Sequence, residues 1–437
     1  MRGISIALLG LGNVGAGALK ILRHNRREIE GRLAASVNVK HVLVRELDKP
    51  RMVEIERERL TTDVREILDD PDVRVVVEVI GGIEPARTWV LEAIAKGKHI
   101  VTANKALLAE HGAEIFAAAN KAGVQVFFEG SVAGGIPVLR SIREGLASDR
   151  ITRVVGIVNG TSNYILDSMT RKGLDYAEAL RQAQEAGFAE ADPTLDVEGG
   201  DAAHKLALLA LVSFGLRVDP NQIDTTGITR IRPFDIRMAD ELGYVIKSLA
   251  ICELDGEGRP TLRVHPTFVP REHILAGVHG AYNAVQVHSV AMGESLYYGK
   301  GAGMMPTGMA VVSDIVEVCR AIISFTEGGP PAEAFQEIRA VEAASLDDIE
   351  CENYICVHVP NVPGVLGRVA SCLGEHGVSI QRMNQDTPNE GEVVDMVILT
   401  EMVSEKKLRA ALTALDEFPD TAGITDRIRI HPPEVLD

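Results

Sequence analysis

The run I-S-I-A-L-L-G-L-G-N-V-G, residues 4–15, decides the fold. Ile4 to Leu9 reads as a short buried strand that ends in glycines, and a helical pattern follows to about Glu30. Gly10 permits a tight turn, Gly12 lets a pyrophosphate approach the backbone, and Gly15 lets the helix pack closely on the strand. With Asn13 and Val14 they form a candidate dinucleotide loop. Its phosphates would sit at the helix N-terminus, where unpaired N–H groups and the helix dipole favour anions.

Outward from this loop the pattern alternates. Strands are predicted at Val37–Arg45, Val73–Ile80, His99–Thr102 and Val124–Phe128, with helices at Pro85–Lys96 and Lys105–Ala122. Alternating strands and helices of this length give a doubly wound parallel sheet with helices on both faces, a Rossmann-type domain over 1–130 completed by a helix at about 306–325. Residues 131–305 read as a mixed α+β catalytic and oligomerisation domain, with strands at Ile151–Val158, Tyr244–Cys252, Arg259–Phe268 and Val285–Met292. Residues 326–350, rich in Pro, Gly, Ala and Glu, suit a linker. Residues 351–437 follow as an independent unit in the order βαββαβ, a small ferredoxin-like domain.

The totals limit what the chain can do. It has 437 residues, 46% hydrophobic and 24% charged, and a net charge of −17. Two or three soluble domains are expected. The negative balance argues against nucleic-acid binding, which needs a basic surface. No apolar run approaches the roughly 20 residues of a membrane span. The five cysteines are scattered without a C-x-x-C pair, which suits free thiols in a reducing cytoplasm.

The chemistry concentrates at 187–211, G-F-A-E-A-D-P-T-L-D-V-E-G-G-D-A-A-H-K-L-A-L-L-A-L. Five carboxylates (Glu190, Asp192, Asp196, Glu198, Asp201) precede a helix that is apolar all round except for Lys205 and its neighbour His204. Such a helix is normally buried. Asp201 and Lys205 share a face at i,i+4. On a surface such a pair is worth about 0.3–0.5 kcal/mol; in apolar surroundings it reads instead as a site of proton transfer. His204 points elsewhere and reads as a packed or capping histidine.

Other motifs surround it. Val101-Thr102-Ala-Asn104-Lys105 lies at the C-terminal end of a sheet strand, where open α/β sheets bind ligands. Arg45 ends the second strand, where it suits a cofactor 2′-phosphate better than the acid of an NAD site does, although Glu46 leaves NAD open. Glu129-Gly-Ser-Val-Ala-Gly-Gly-Ile136 combines a carboxylate with a glycine-rich turn, an environment for a hard cation. Asn159-Gly-Thr-Ser-Asn-Tyr164 is a polar hexad suited to a small polar ligand.

Together with E-A-D-P-T-L-D-V-E-G-G-D-A-A-H-K at 190–205 and G-A-G-M-M-P-T at 301–307, these motifs carry a resemblance over the whole length to homoserine dehydrogenase with a C-terminal ACT domain. The resemblance implies reversible NAD(P)-dependent interconversion of L-homoserine and L-aspartate 4-semialdehyde, a step towards threonine, methionine and isoleucine. It implies Lys205 as proton donor, with Lys105 beside nicotinamide and substrate and Asp201 among the acids that line the substrate site, from where it would orient Lys205. Glu190 and Asp196, with Asn159 and Thr161, would line the substrate site. Gly10, Gly12, Asn13, Val14, Gly15, Arg45, Thr102, Lys105 and Gly303 would face the cofactor, NADP or NAD. Glu129 would bind a monovalent cation, sodium, with carbonyls of Val132, Gly134 and Ile136. Met304-Met305 and Gly308-Met309 depart from the family's common pattern around Pro306-Thr307.

V-H-V-P-N-V-P-G-V-L-G-R-V-A at 357–370 resembles an ACT domain, with Asn361, Gly364, Val365 and Leu366, and the segment Ile380–Asn384, as candidates for an amino-acid effector such as L-threonine. A homodimer or homotetramer is implied. On this reading, removing 351–437 abolishes inhibition and preserves activity. Two other readings are an amino-acid dehydrogenase acting on aspartate itself, and a non-catalytic amino-acid sensor. The second predicts loss of the catalytic polar residues, yet Lys105, Glu190, Asp201 and Lys205 are all present.

Overall fold

The structure is a computed structural model that describes residues 2–255, 258–326, 339–385, 393–419, 421–423 and 425–432. Much of the expected linker, residues 327–338, lies outside the described residues, as do Glu392 and Ile424, where the sequence pattern predicts strands Glu392–Thr400 and Ile424–Ile430 to begin.

The N-terminal sheet has six strands: β1 (Arg2–Leu9), β2 (Ala35–Leu43), β3 (Leu60–Thr61), β4 (Val73–Glu78), β5 (His99–Thr102) and β6 (Val126–Phe127). All its pairings are parallel, in the order β3-β2-β1-β4-β5-β6. Alternation along β1 sends Ile4, Ile6 and Leu8 into one apolar layer with the helices Asn13–His24 and Met304–Thr326. Ala7 and Leu9 enter the other, with Val90, Ile94 and Ile115. A strand covered on both faces must be apolar throughout, which is why V-R-V-V-V-E has one exposed residue. The strand order reverses between β1 and β4, and that crevice is where such sheets hold ligands. The helix after β1 is shorter than its periodicity suggests: it stops at His24, and Arg26–Leu33 forms a separate helix.

The second sheet has ten strands. Its central-domain part runs Gly293–Lys300, Tyr282–Ser289, Ile151–Ile157, Tyr244–Leu254, Pro260–Pro270, and a short strand, Asp224–Thr225, pairs with the last of these. Gly293–Lys300 was not foreseen. Met292 and Gly293 turn the chain back, so a tail of the expected strand becomes the start of a hairpin.

The expected independence of the C-terminal unit is corrected here. Its strands keep the βαββαβ order, with helices Val365–Glu375 and Glu405–Asp416. However, Asp426–Ile430 pairs in parallel with Pro260–Pro270 through Thr267–Arg429 and Phe268–Ile430. The two domains share one continuous sheet, and apolar side chains from both form one core. The physical reason lies in strand Asn353–Pro360. Ile355, Val357 and Val359 face the domain's own helices, whereas Tyr354 and Cys356 face the central domain, so both faces need cover.

Candidate active site

The glycine loop follows its sequence logic. Gly10 has φ +105°, and a Cβ there would lie 2.9 Å from the Val79 carbonyl oxygen. A Cβ at Gly15 would come within 2.4 Å of the Gly10 carbonyl oxygen, whereas one at Gly12 would meet nothing within 4 Å. The open position is thus the one a pyrophosphate needs, at the N-terminus of Asn13–His24, whose first turn holds no acid. Arg45, just beyond β2, is exposed.

Glycines also let segments interlock further down the cleft. A Cβ at Gly134 would lie 2.7 Å from the Gly301 carbonyl oxygen, and one at Gly135 2.8 Å from that of Lys300. The loop 129–136 is thereby pressed against 300–306, which carries Gly303 and leads into Met304–Thr326. A cavity of about 800 Å³ opens beside it, with Tyr164, Phe188, Tyr298, Lys300, Gly303 and Pro306 among its walls.

At the end of β5, Thr102 is buried, and its hydroxyl donates to Glu78 Oε2 at 2.6 Å. Asn104 caps the helix Lys105–Ala122 by accepting from Leu107 N at 3.2 Å, and it donates to the Gly82 carbonyl at 2.7 Å. Thr102 therefore braces the crevice, with its hydroxyl committed to protein. Glu78, which the sequence reading passed over inside an apolar strand, is fully buried; it accepts from Ile80 N and Gly81 N, and burial pushes its carboxyl up.

The helix Gly200–Phe214 is buried as its composition implies, packed against Lys105–Ala122 and the central sheet. Asp201 is buried in its first turn. Lys205 Nζ is 2.6 Å from Asp201 Oδ2 and donates to the Val158 carbonyl at 2.7 Å. Lys105 Nζ, from the other domain, lies 3.1 Å from Asp201 Oδ1. Asn159 donates from Nδ2 to Asp201 Oδ2 and to Asp196 Oδ1, each at 2.7 Å. Thr161 donates to Asp196 Oδ2 at 3.3 Å and to the Phe188 carbonyl at 2.6 Å. Burial alone would raise the Asp201 carboxyl, but Lys205 and Lys105 outweigh it and hold it well below the usual carboxylate range. Glu190 stands apart: it is exposed, and only its backbone carbonyl is engaged, by Gln184. His204 makes no hydrogen bond through its buried Nδ1 among the described residues.

A depressed acid stabilises the fold above its unfolded pKa of about 3.9 and loses that contribution as pH falls through its folded pKa. Asp201→Asn should therefore be less stable than wild type at neutral pH, with a gap that narrows as the pH drops below about 4. Thermal unfolding of both proteins between pH 7 and pH 3 checks this. A gap that widens on acidification would contradict the ionised assignment.

In the loop 129–136, Glu129 accepts from Leu139 N at 3.0 Å and Arg140 N at 2.8 Å, and its own N–H donates to Asp314 Oδ2 at 2.8 Å. Val132 and Gly134 are buried, and neither carbonyl accepts a hydrogen bond among the described residues. Orphaned buried carbonyls in a loop that also carries a carboxylate suit a hard cation. The Ile136 carbonyl already accepts from Val138 N at 2.8 Å. Asp314 is a further member that sequence spacing could not reveal, since it lies on the distant helix Met304–Thr326; burial, then Glu129, pushes its carboxyl up to about 8.

In the C-terminal domain, Asn361, Gly364, Val365 and Leu366 line one cavity of about 390 Å³ together with Gln385 and Met396. Gln385 donates to Asn361 Oδ1 at 3.4 Å.

A glycine loop built for a dinucleotide, and two lysines meeting on one buried carboxylate, are the parts a nicotinamide-dependent oxidoreductase needs. Comparison with known proteins makes this specific. The chain matches the family profile for homoserine dehydrogenase over residues 137–316, that for the homoserine dehydrogenase NAD binding domain over 10–129, and that for the ACT domain over 354–420. It is 43% identical to a homoserine dehydrogenase of Synechocystis, across 98% of this chain and 99% of that one. It is 41% identical to one of Bacillus subtilis, across 99% of each. A solved homoserine dehydrogenase from Thiobacillus denitrificans superposes with a TM-score of 0.90 at 42% identity, covering 99% of both chains. The chain belongs to the homoserine dehydrogenases, NAD(P)-dependent oxidoreductases that act on a CH–OH group and interconvert homoserine and aspartate semialdehyde.

Proposed function

We propose that the Lys105–Asp201–Lys205 bridge is the catalytic centre, with Lys205 as proton donor. The carrying observation is that two lysines from two domains converge on one buried carboxylate. When bound, a nicotinamide cofactor would supply a hydride for the aldehyde carbon of L-aspartate 4-semialdehyde. Negative charge then develops on the carbonyl oxygen, where an ammonium both stabilises it and gives up a proton. Asp201 keeps Lys205 pointed along the cleft and keeps it charged until that moment. Lys105, paired with the same carboxylate but about a third exposed, would assist from the open side of the bridge. Asn159 and Thr161, whose side chains are committed to Asp196, Asp201 and the Phe188 carbonyl, shape the polar end of the site; backbone groups near Thr161 would take the substrate carboxylate, and Glu190 its ammonium when the 187–192 segment folds over it.

Cofactor, cation and effector complete the reading. Arg45 at the end of β2 favours the 2′-phosphate of NADP. Glu129 with the carbonyls of Val132, Gly134 and Ile136 would hold a monovalent cation, sodium, whose charge would fix the loop that meets 300–306. The 390 Å³ cavity beside Asn361 and Gly364 suits a small amino acid, and L-threonine is the proposed feedback effector. A second copy of the chain is expected to form a homodimer or homotetramer, for which the open edge strand Gly293–Lys300, with Tyr282 and Tyr298 stacked and exposed beside it, is the natural place. The free thiols suit a cytoplasmic enzyme.

Steady-state reduction of aspartate semialdehyde with NADPH and with NADH, with and without threonine, tests these points together. Arg45→Ala should raise KM for NADPH by about tenfold, the loss of one charged contact of roughly 1.4 kcal/mol, and leave NADH unchanged. Equal effects on both cofactors would remove Arg45 from phosphate recognition.

A further inference from the structure

Glu198, a carboxylate of the 187–201 segment to which the chemistry gives no role, is firmly tethered. Thr229 Oγ1 donates to Glu198 Oε1 at 3.0 Å, and Ile228 N donates to the Val197 carbonyl at 2.8 Å. Gly227 is pressed onto the same residues, because a Cβ there would lie 2.4 Å from Glu198 Oε2 and 2.6 Å from the Val197 carbonyl oxygen. The 227–229 segment thus lies directly against the stretch that carries Asp196 and Asp201.

Three residues further on, Arg232 leaves the central domain. Its guanidinium reaches Asp235 at 3.1 Å at the start of helix Pro233–Glu241, but also Asp426 at 3.5 Å, Asp395 at 3.6 Å and Cys356 Sγ at 3.4 Å, all in the C-terminal domain. The register explains the convergence: His358 pairs with Asp395 on one side, Cys356 with Asp426 on the other, and His358 bonds to both aspartates. Buried Tyr354 answers from the C-terminal side, donating to Asp235 Oδ1 at 3.0 Å. Beneath this polar pin, Val197, Ile228 and Ile231 share a core with Tyr354, Cys356, Val397 and Ile428.

We propose that Arg232, gripped by Asp395 and Asp426, is a positioning residue through which the C-terminal domain sets the 196–201 substrate segment. The proposal rests on the reading of Asp196 and Asp201 as substrate-site residues. A change in the C-terminal sheet that moves the two aspartates moves Arg232, and the 227–232 segment passes the displacement to Val197 and Glu198.

The test uses the full chain with Arg232→Met, Arg232→Lys, Asp395→Asn and the double variant Arg232→Met/Asp395→Asn. Arg232→Met should raise KM for aspartate semialdehyde about three- to tenfold, with kcat within about twofold; Arg232→Lys should recover most of this, and the double variant should be no worse than Arg232→Met. A purely structural residue would lower the unfolding temperature without moving KM. Asp395→Asn, which leaves the helix cap at Asp235 intact, should shift KM in the same direction and decides the matter if Arg232→Met fails to fold. Unchanged KM in both single variants, or independent addition of their effects, overturns the proposal. Where threonine inhibits the wild type, Arg232→Met should blunt that inhibition, and full sensitivity would count against the proposal. A wild type insensitive to threonine would instead remove the effector reading, with the KM comparison still deciding the coupling.

Discussion

Lys205→Met is expected to lower kcat for aspartate semialdehyde reduction by about 10²–10⁴-fold, the range a general acid supplies. Methionine keeps the length and apolar stem of lysine, so the buried helix loses charge and donors but little volume. Asp201 retains Lys105 and Asn159, and the Val158 carbonyl loses its donor, so the stability cost stays near 1–3 kcal/mol, far from unfolding a protein of this size. Cofactor binding, whose phosphates are held by the Gly10–Gly15 loop, should change little. The decisive comparison is kcat against cofactor affinity and unfolding temperature. Turnover within about threefold of wild type, with the fold intact, would transfer the proton-donor role away from Lys205, and Lys105 would be the next residue to replace.

The second large effect concerns the C-terminal domain. Ending the chain at residue 350 should give protein that is insoluble or unfolds at far lower temperature, instead of an active enzyme freed from inhibition. The cut removes Asp426–Ile430 from the edge of Pro260–Pro270 and strips the cover from Phe268, Ile246, Ile228, Ile231 and Ile236. Each such side chain is worth about 1.5–3 kcal/mol when fully buried. Their joint exposure is of order 10 kcal/mol, as large as the whole stability of a typical domain. Asp235 also loses the Tyr354 hydroxyl. Soluble yield, circular dichroism and thermal unfolding of residues 1–350 check this. A well-folded, fully active truncation would show that the shared core contributes little. Point substitutions in the 390 Å³ cavity, such as Asn361→Ala, are therefore the cleaner probe of an effector site.

Much of the molecule was legible before its coordinates. The glycine loop, the alternating strands and helices, the buried helix Gly200–Phe214 and the βαββαβ order depend on local spacing, and local spacing is what sequence displays. The pairing of Asp201 with Lys205 is of the same kind, since i,i+4 fixes it within one helix. Met304–Met305, a departure from the family pattern, sits where Gly17 packs on both the backbone and the side chain of Met304, which leaves no room for a Cβ at 17.

What tertiary structure decided is which distant residues meet. Lys105 and Asp201 are on different domains; Glu129 and Asp314 are on elements far apart in the chain; Thr102 turns inward to Glu78, while Glu190 stays in solvent. The joining of two domains into one sheet was equally hidden. A strand with two apolar faces looks the same whether its second face is covered by its own domain or by a neighbour, because periodicity records that a face is buried and not what buries it. The sequence by itself determined the fold class, the cofactor loop and the lysine–carboxylate pair, all set by short-range geometry. Only the folded chain determined that a second lysine crosses the cleft to share that carboxylate, and that the C-terminal domain forms one wall of the substrate domain, because both follow from long-range packing that no local spacing encodes.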